Sequence, residues 1–216
     1  MASSTAKTSP QNSEKPSARD VYIFDFDGTI TTKDTFALFL KYYAGYFRWS
    51  LNILRLLPVF IGYVLKIVSR DSVKAHVIQR FFKNESEDHI EQRAADFARD
   101  VIPGLIRPQA LTALQNRLKT APESLYICSA SIGPYLRHWG RPHGITQIMA
   151  TELDARHGIC TGGILGWNVW GPGKTRRIFA EFSDQTIHIK EAYGDSRGDL
   201  EMLNAAEASF WRPFRL

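Results

Sequence analysis

Two carboxylates follow an apolar segment near the start of the chain. Residues 21–26 are rich in β-branched and aromatic side chains, a composition that predicts a buried central strand. Asp25 and Asp27 are separated by one residue, so on an extended backbone they point to the same side. Two close carboxylates share a proton or bind a cation. Their hard oxygen ligands suit Mg²⁺, which also bridges to phosphate oxygens.

The residues after this pair are also suited to binding an anion. Gly28 permits a tight turn, and the hydroxyl groups of Thr29, Thr31 and Thr32 can donate hydrogen bonds. A strand that simply ends in an acidic turn would have the same local sequence. Both interpretations stay open on this segment alone, so the ends of the other predicted strands must decide.

Three further segments bring polar side chains to the end of a strand or the start of a helix. Residues 125–131 predict a strand that leads into a helix, where the helix N-terminus favours a phosphate, although an ordinary N-cap would look the same. A Gly-Pro-Gly turn precedes a lysine that either contacts an anion or is solvated. Residues 186–193 predict a strand that ends in two acids. The polar residues concerned are Ser129, Lys174, Asp195 and Asp199.

The order of these elements predicts an α/β fold. Strands alternate with helical segments, including a helix from Pro108 to Leu118, and residues 145–165 predict a third strand followed by a hairpin. In open α/β sheets ligands collect at the carboxyl ends of parallel strands. We therefore expect the polar residues to meet at one edge of a parallel sheet.

Composition narrows the classes of protein that fit. The chain has 216 residues, a formal net charge of +5 and only two cysteines, Cys128 and Cys160, which excludes a disulfide framework and a four-cysteine zinc site. A reducing cytoplasmic location is the expectation. Residues 1–20 are rich in Ser, Thr, Pro, Lys and Ala without an aliphatic run, so a disordered tail is predicted rather than a secretory signal.

The positive charge is concentrated in an aromatic region after Asp34. No acid occurs between Asp34 and Asp71, and this window holds five basic residues: Lys41, Arg48, Arg55, Lys66 and Arg70. The longest uncharged run of this window, residues 56–65, is too short to span a membrane, so two or more amphipathic helices broken near Pro58 are predicted. These helices either pack against each other in a cap or present a basic surface to an anionic membrane or a lipid phosphate.

The ordered set of motifs resembles the haloacid dehalogenase superfamily of aspartate-dependent phosphohydrolases. Its four motifs match Asp25-Phe26-Asp27-Gly28-Thr29, then Ser129, Lys174 and Gly194-Asp195-Ser196-Arg197-Gly198-Asp199. The segments Arg107-Pro108 and Ser129-Ala130-Ser131, with the aromatic and basic residues 210–215, resemble subfamily IB, the phosphoserine-phosphatase-like branch. The resemblance covers essentially everything after Asp20.

This resemblance implies an α/β fold with a Rossmann-like parallel sheet sandwiched by helices. A helical cap is inserted between the first and second motifs in this branch. The implied domains are a tail at residues 1–20, a core at residues 21–34 and 103–216, and a cap at residues 35–102.

The resemblance also implies a role for each motif residue. Asp25 is the nucleophile that forms an aspartyl-phosphate, and Asp27 is the general acid and base. Mg²⁺ is held by the side chains of Asp25 and Asp195 and by the backbone carbonyl of Asp27. The phosphate is bound by Ser129, Lys174 and Thr29. Asp199 supports the site by orienting the lysine or a metal-bound water.

The implied function is a magnesium-dependent phosphatase that hydrolyses a small phosphorylated metabolite. Phosphoserine phosphatases carry a Glu shortly after the first motif where Asp34 stands here, so this position is a candidate for substrate specificity and phosphoserine is disfavoured. One alternative is a membrane-associated lipid phosphatase resembling phosphatidylglycerophosphatase, with the cap in peripheral contact with an anionic membrane. Another is a non-enzymatic basic binding module. No nucleic-acid partner is expected.

Overall fold

The computed structural model describes residues 18–215, and within them six strands form one mixed sheet. The strand order across the sheet is β4-β3-β2-β1-β5-β6, with β3 and β4 antiparallel and the other pairs parallel. The strands are β1 (Arg19–Phe24), β2 (Leu125–Ile132), β3 (Ile148–Arg156), β4 (Ile159–Leu165), β5 (Ile187–Gly194) and β6 (Ala208–Trp211). The predicted strands and the predicted hairpin are confirmed, but β1 begins at Arg19, inside the predicted tail of residues 1–20. Residues 1–17 of that predicted tail lie outside the described part of the chain.

Strand β1 lies inside the sheet, between β2 and β5, so its apolar residues are buried on both faces. Val21, Ile23 and Phe24 are fully buried, as expected for a strand that has helices on both sides of the sheet. Phe24 is in register with Ile127 of β2 and with Tyr193 of β5. The chain therefore leaves all three parallel strands at the same edge, which brings the polar motifs together.

Seven α-helices of the described part of the chain connect and flank the strands. They are α1 (Thr35–Val64), α2 (Arg70–Phe82), α3 (Glu87–Asp100), α4 (Pro108–Thr120), α5 (Gly133–Gly140), α6 (Pro172–Glu181) and α7 (Leu200–Asn204). Pro108 occupies the first turn of α4, as predicted, because the missing N–H has no helical partner there. The predicted α/β class, with a mostly parallel sheet flanked by helices, is confirmed.

Helices α1, α2 and α3 form an insertion between β1 and α4. Their aromatic side chains surround Tyr135 of α5: Phe39 and Phe97 lie with ring centroids 5.1 and 5.4 Å from its ring. Phe82 of α2 packs on Phe39 at 6.3 Å. Within residues 18–215, none of the helices combines the length and apolarity needed to cross a bilayer.

The predicted break near Pro58 is wrong. Helix α1 is interrupted at Gly45, whose φ of 71° and ψ of 163° are not helical, and the chain is helical again through Pro58 to Val64. Glycine reaches positive φ without a Cβ clash. Proline removes one helical hydrogen bond, and here the buried Leu56 and its packed neighbours hold the helix across that gap. We call residues 46–64 the distal segment of α1.

Candidate active site

A cluster of three buried carboxylates lies at the carboxyl edge of the sheet. Asp25, Asp195 and Asp199 each place one oxygen within 4.8 Å of the others. Asp25 directly follows β1, and its N–H donates to the carbonyl of Tyr193 at 2.9 Å, which fixes the end of β1 beside β5. Asp199 accepts hydrogen bonds from the N–H groups of Asp195 and Ser196 in a capping box.

Lys174 is a buried cation inside this cluster, and Arg215 pairs with Asp195 at its edge. Its Nζ lies 2.5 Å from Asp25 Oδ1 and 2.6 Å from Asp199 Oδ1, and the side chain is buried. Burial alone would lower the pKa of Lys174, but the two carboxylates outweigh it and raise the pKa above its ordinary value. Of the two alternatives open for this lysine, the structure excludes the solvated one.

The cluster holds three carboxylates against two cations, Lys174 and the Arg215 guanidinium that pairs with Asp195, so one negative charge is left over. Burial raises the pKa of Asp25 to about 8 although Lys174 opposes the shift, and burial also raises the pKa of Asp195. For Asp199, burial is outweighed by Lys174 and by two backbone N–H donors, so its pKa is lowered. A buried excess of carboxylate favours a bound cation, and oxygen-only donors fit Mg²⁺.

Gly28 lets Asp195 approach β1. Its φ is +79°, and a Cβ at this position would lie 2.4 Å from Asp195 Oδ2. Any other residue here would therefore have a strained backbone, and its side chain would collide with the carboxylate cluster.

We expect Gly28→Ala to lower the free energy of unfolding by about 1–3 kcal/mol more than Gly144→Ala does. Gly144 is a matched control because its φ is +76° and a Cβ there meets nothing within 4 Å. Both variants pay the cost of positive φ, and only the first displaces Asp195. Urea unfolding measures the difference, and equal losses would show that the contact with Asp195 is unimportant.

Asp27 is joined to the insertion by hydrogen bonds. Its Oδ1 accepts from both the N–H and the hydroxyl of Thr35, at 2.6 Å each, and its Oδ2 accepts from the Ser131 hydroxyl. The Tyr135 hydroxyl lies 3.2 Å from that of Thr35. Burial and the charge of Asp34 raise the pKa of Asp27 above its ordinary value, against the effect of these donors. Asp27 therefore sits between β2 and the first turn of α1.

Thr35, Ser131 and Tyr135 were not predicted as residues of this site. Ser131 had a signal, because a residue two positions after Ser129 points to the same side of β2. Thr35 and Tyr135 had none, since their contact with Asp27 and with each other depends on how α1 and α5 pack.

The other predicted phosphate ligands lie beside the cluster with their hydroxyls engaged. Thr29 donates to Asp25 Oδ2 at 3.0 Å and is buried. Ser129 is fully buried, and its hydroxyl accepts from the N–H of Ser131 at 3.0 Å. Neither residue lines the cavities described next, so a direct contact with phosphate stays a prediction for both.

Two cavities meet at Asp27. The polar one, of about 240 Å³, is lined by the carboxylate cluster and Lys174, and the apolar one, of about 320 Å³, lies under α1 and α2. Both are lined by Asp34 and Arg70. Asp34 also caps α1 by accepting from the N–H of Ala37 at 2.9 Å, so the predicted specificity residue has a structural role as well.

Lys74 is a cation in the wall of the apolar cavity. Its Nζ donates to the carbonyl of Ala130 and lies 4.2 Å from the ring centroid of Phe36. Burial lowers the pKa of Lys74 to about 8, although Asp27 and Asp34 oppose the shift. Sequence patterns gave no signal for this residue. It is one of several charged residues of α2, and only the packing of that helix directs its side chain towards the cavity.

A family model for haloacid dehalogenase-like hydrolases matches residues 22–204, most of the chain. The chain belongs to that family. The predicted family and enzyme class, a hydrolase of phosphatase type, are confirmed at the level of family and fold.

Similar proteins agree with this haloacid dehalogenase-like assignment. Protein CicA of Caulobacter vibrioides is 35% identical over 217 residues, which cover 100% of this chain and 96% of that protein. A protein of unknown function from Bordetella pertussis Tohama I has a TM-score of 0.76 at 20% identity over 89% of each chain. A phospho-aspartyl intermediate analogue of phosphoserine phosphatase has a TM-score of 0.58 at 15% identity, covering 89% of this chain and 85% of that one. At these identities the two solved structures support the fold alone.

Proposed function

We propose that this haloacid dehalogenase-like hydrolase is a magnesium-dependent phosphomonoester hydrolase that acts through an aspartyl-phosphate on Asp25. The observation that carries the proposal is the buried Asp25 carboxylate, held by Lys174 beside Asp195 at the floor of an open polar cavity. The fold shared with a phospho-aspartyl intermediate analogue of phosphoserine phosphatase is consistent with it.

In the first step, one carboxylate oxygen of Asp25 attacks phosphorus and the bond from phosphorus to the ester oxygen breaks. Lys174 and Thr29 each bind one oxygen of Asp25, which fixes the orientation of the nucleophile. Lys174 also offers positive charge to the oxygens of the transferring group, where fixed donors stabilise the transition state.

Asp27 would serve both steps as acid and base. A raised pKa favours its protonated form, which can give a proton to the departing alkoxide. The resulting carboxylate can then take a proton from a water molecule that attacks the phosphorus on Asp25, which releases inorganic phosphate and restores both acids. The hydrogen bonds from Thr35 and Ser131 hold Asp27 in place for this exchange.

The carboxylates of Asp25 and Asp195, with the backbone carbonyl of Asp27, would hold Mg²⁺. When bound, the ion would neutralise the carboxylates and the incoming phosphate. Asp199 is engaged with Lys174 and with backbone N–H groups, so its proposed role is to orient the lysine.

We also propose that the insertion, residues 35–102, acts as a cap that selects the substrate. The apolar cavity next to Asp27 bears on the predicted substrate classes. It favours the phosphate ester of an alcohol that has an apolar part over that of a small polar metabolite. The family membership disfavours the non-enzymatic alternative. Asp34 lines both cavities and stays the candidate specificity residue.

Chelating divalent metals with EDTA is expected to lower the turnover of p-nitrophenyl phosphate by at least about a hundredfold, because Mg²⁺ contributes several kcal/mol of charge stabilisation in such sites. Adding excess Mg²⁺ should restore it, whereas Ca²⁺, which prefers more ligands and longer distances, should restore less. Unchanged turnover in EDTA would contradict the metal-dependent mechanism. Running the same assay over phosphorylated metabolites and lipid phosphates tests the substrate class.

A further inference from the structure

The distal segment of α1 exposes a continuous apolar face. Its members recur at helical spacing and are between 36% and 83% exposed: Phe47, Leu51, Leu54, Leu57, Ile61 and Val64. Residues at such spacing lie on one side of a helix. Scattered apolar side chains are normal at a protein surface, but a contiguous apolar face marks an interaction surface.

A basic groove lies along one edge of this face. It has a volume of about 500 Å³, and its lining includes Arg55 of α1 and His76, Arg80 and Lys83 of α2 or its C-terminal end, with no Asp or Glu among the lining residues. Helix α1 itself contains no acid. Positive charge beside an exposed apolar face complements a surface that is both apolar and anionic.

The apolar cavity lies along the other edge. The inner side of the distal segment lines this cavity with Trp49, Ile53 and Phe60. Tyr63 lines it too and is 42% exposed, so it lies at the rim. Since this cavity also reaches Asp27, the exposed face, the apolar cavity and the candidate catalytic residues are contiguous.

We propose that the distal segment of α1 docks on an anionic membrane surface, with its apolar face in the interface and the basic groove against the head groups. The apolar cavity then receives the apolar lipid part of a lipid phosphomonoester directly from the bilayer. This second part rests on the proposed function, and the docking does not.

Two other occupants of the face fit less well. A second copy of the chain offers the same acid-free helix and therefore no negative charge to complement the groove. The sequence of residues 1–17 contains no Leu, Ile, Val or aromatic residue, so it has little to bury against an apolar face. An anionic bilayer supplies both the apolar phase and the negative charge.

Co-sedimentation with vesicles tests the docking. Wild-type protein is expected to bind vesicles of phosphatidylcholine and phosphatidylglycerol, to bind pure phosphatidylcholine vesicles weakly, and to be released by added salt. The double variant Leu54→Ser, Ile61→Ser should bind at least about tenfold more weakly, since each side chain loses its burial in the interface. Arg55→Gln should weaken binding about fivefold, and only to anionic vesicles.

Leu165→Ser is the matched control. Leu165 is 63% exposed and Leu54 is 64% exposed, but Leu165 belongs to the end of β4 and not to the distal segment of α1. The control should bind vesicles like the wild type. Equal losses in all variants, or no binding of the wild type to anionic vesicles, would overturn the docking. A dimer in solution that dissociates in the Leu54→Ser, Ile61→Ser variant would overturn it in favour of a second copy.

Activity separates this proposal from the proposed function. The Leu54→Ser, Ile61→Ser variant should keep its turnover of soluble p-nitrophenyl phosphate and lose at least about tenfold in hydrolysis of phosphatidic acid in anionic vesicles. Turnover of the soluble substrate also reports that the variant is folded. Wild-type protein that hydrolyses the aryl phosphate but does not bind vesicles would overturn only the docking. Protein that binds vesicles but hydrolyses neither substrate would overturn the proposed function and leave the docking intact.

Discussion

Replacing Asp25 with Asn is expected to lower kcat for p-nitrophenyl phosphate by at least about four orders of magnitude, because an amide cannot act as the nucleophile. The Asn side chain has nearly the same shape and can still accept a hydrogen bond from Lys174 or Thr29, so the site should keep its geometry. Acid quenching followed by mass spectrometry should find a phosphoryl adduct on Asp25 in the wild type and none in the variant.

Asp88→Asn provides the control for this substitution. Asp88 lies exposed in the first turn of α3, outside both cavities, so its loss should leave kcat unchanged. Thermal unfolding of both variants separates loss of chemistry from loss of fold. An Asp25→Asn protein that is folded and turns over at the wild-type rate would exclude Asp25 as the nucleophile.

Replacing Asp27 with Asn is expected to separate the two chemical steps. The aryl leaving group needs little protonation, so Asp25 should still be phosphorylated, whereas activation of water should slow by about 10²–10⁴-fold. The phosphoryl adduct should therefore accumulate in the variant. An alkyl phosphate, whose leaving group does need a proton, should hardly phosphorylate the variant at all.

The structure suggests that Asn fits at this position. Its amide oxygen can accept from Thr35 and its amide N–H groups can donate to Ser131, in place of the two carboxylate oxygens. The accumulated adduct is measured by mass spectrometry after acid quenching at several times. If turnover of both substrates fell equally and no adduct formed, Asp27 would be needed for the first step with either leaving group, and the division of roles proposed here would be incorrect.

The two proposals concern different scales of the same molecule. The catalytic proposal depends on a few oxygen and nitrogen atoms at the edge of the sheet, and the membrane proposal depends on one face of one helix. They are linked by the apolar cavity, which is lined by the distal segment of α1 and by Asp27. A lipid substrate would explain why such a cavity adjoins a site built from buried charge.

The sequence by itself determined the order of the core elements and the chemistry at their ends. The predicted strands are marked by runs of β-branched and aromatic residues, and two acidic motifs follow a strand directly, as Asp25 follows Phe24 and Asp195 follows Gly194. Such short-range signals depend on backbone geometry and side-chain alternation, which the sequence expresses locally. The meeting of Asp25 and Asp195 could be predicted because parallel strands share one carboxyl edge, whereas Lys174 lies in the first turn of α6.

Only the tertiary structure decided how the insertion meets that edge. The hydrogen bonds from Thr35 and Ser131 to Asp27, the inward turn of Lys74 and the break at Gly45 rather than Pro58 all depend on packing between elements distant in sequence. A composition that is aromatic and basic fits a buried cap and a membrane surface equally well. The tertiary structure shows that the inner side of one helix lines a cavity and that its outer side is exposed, and contact of the exposed side with a membrane is our proposal.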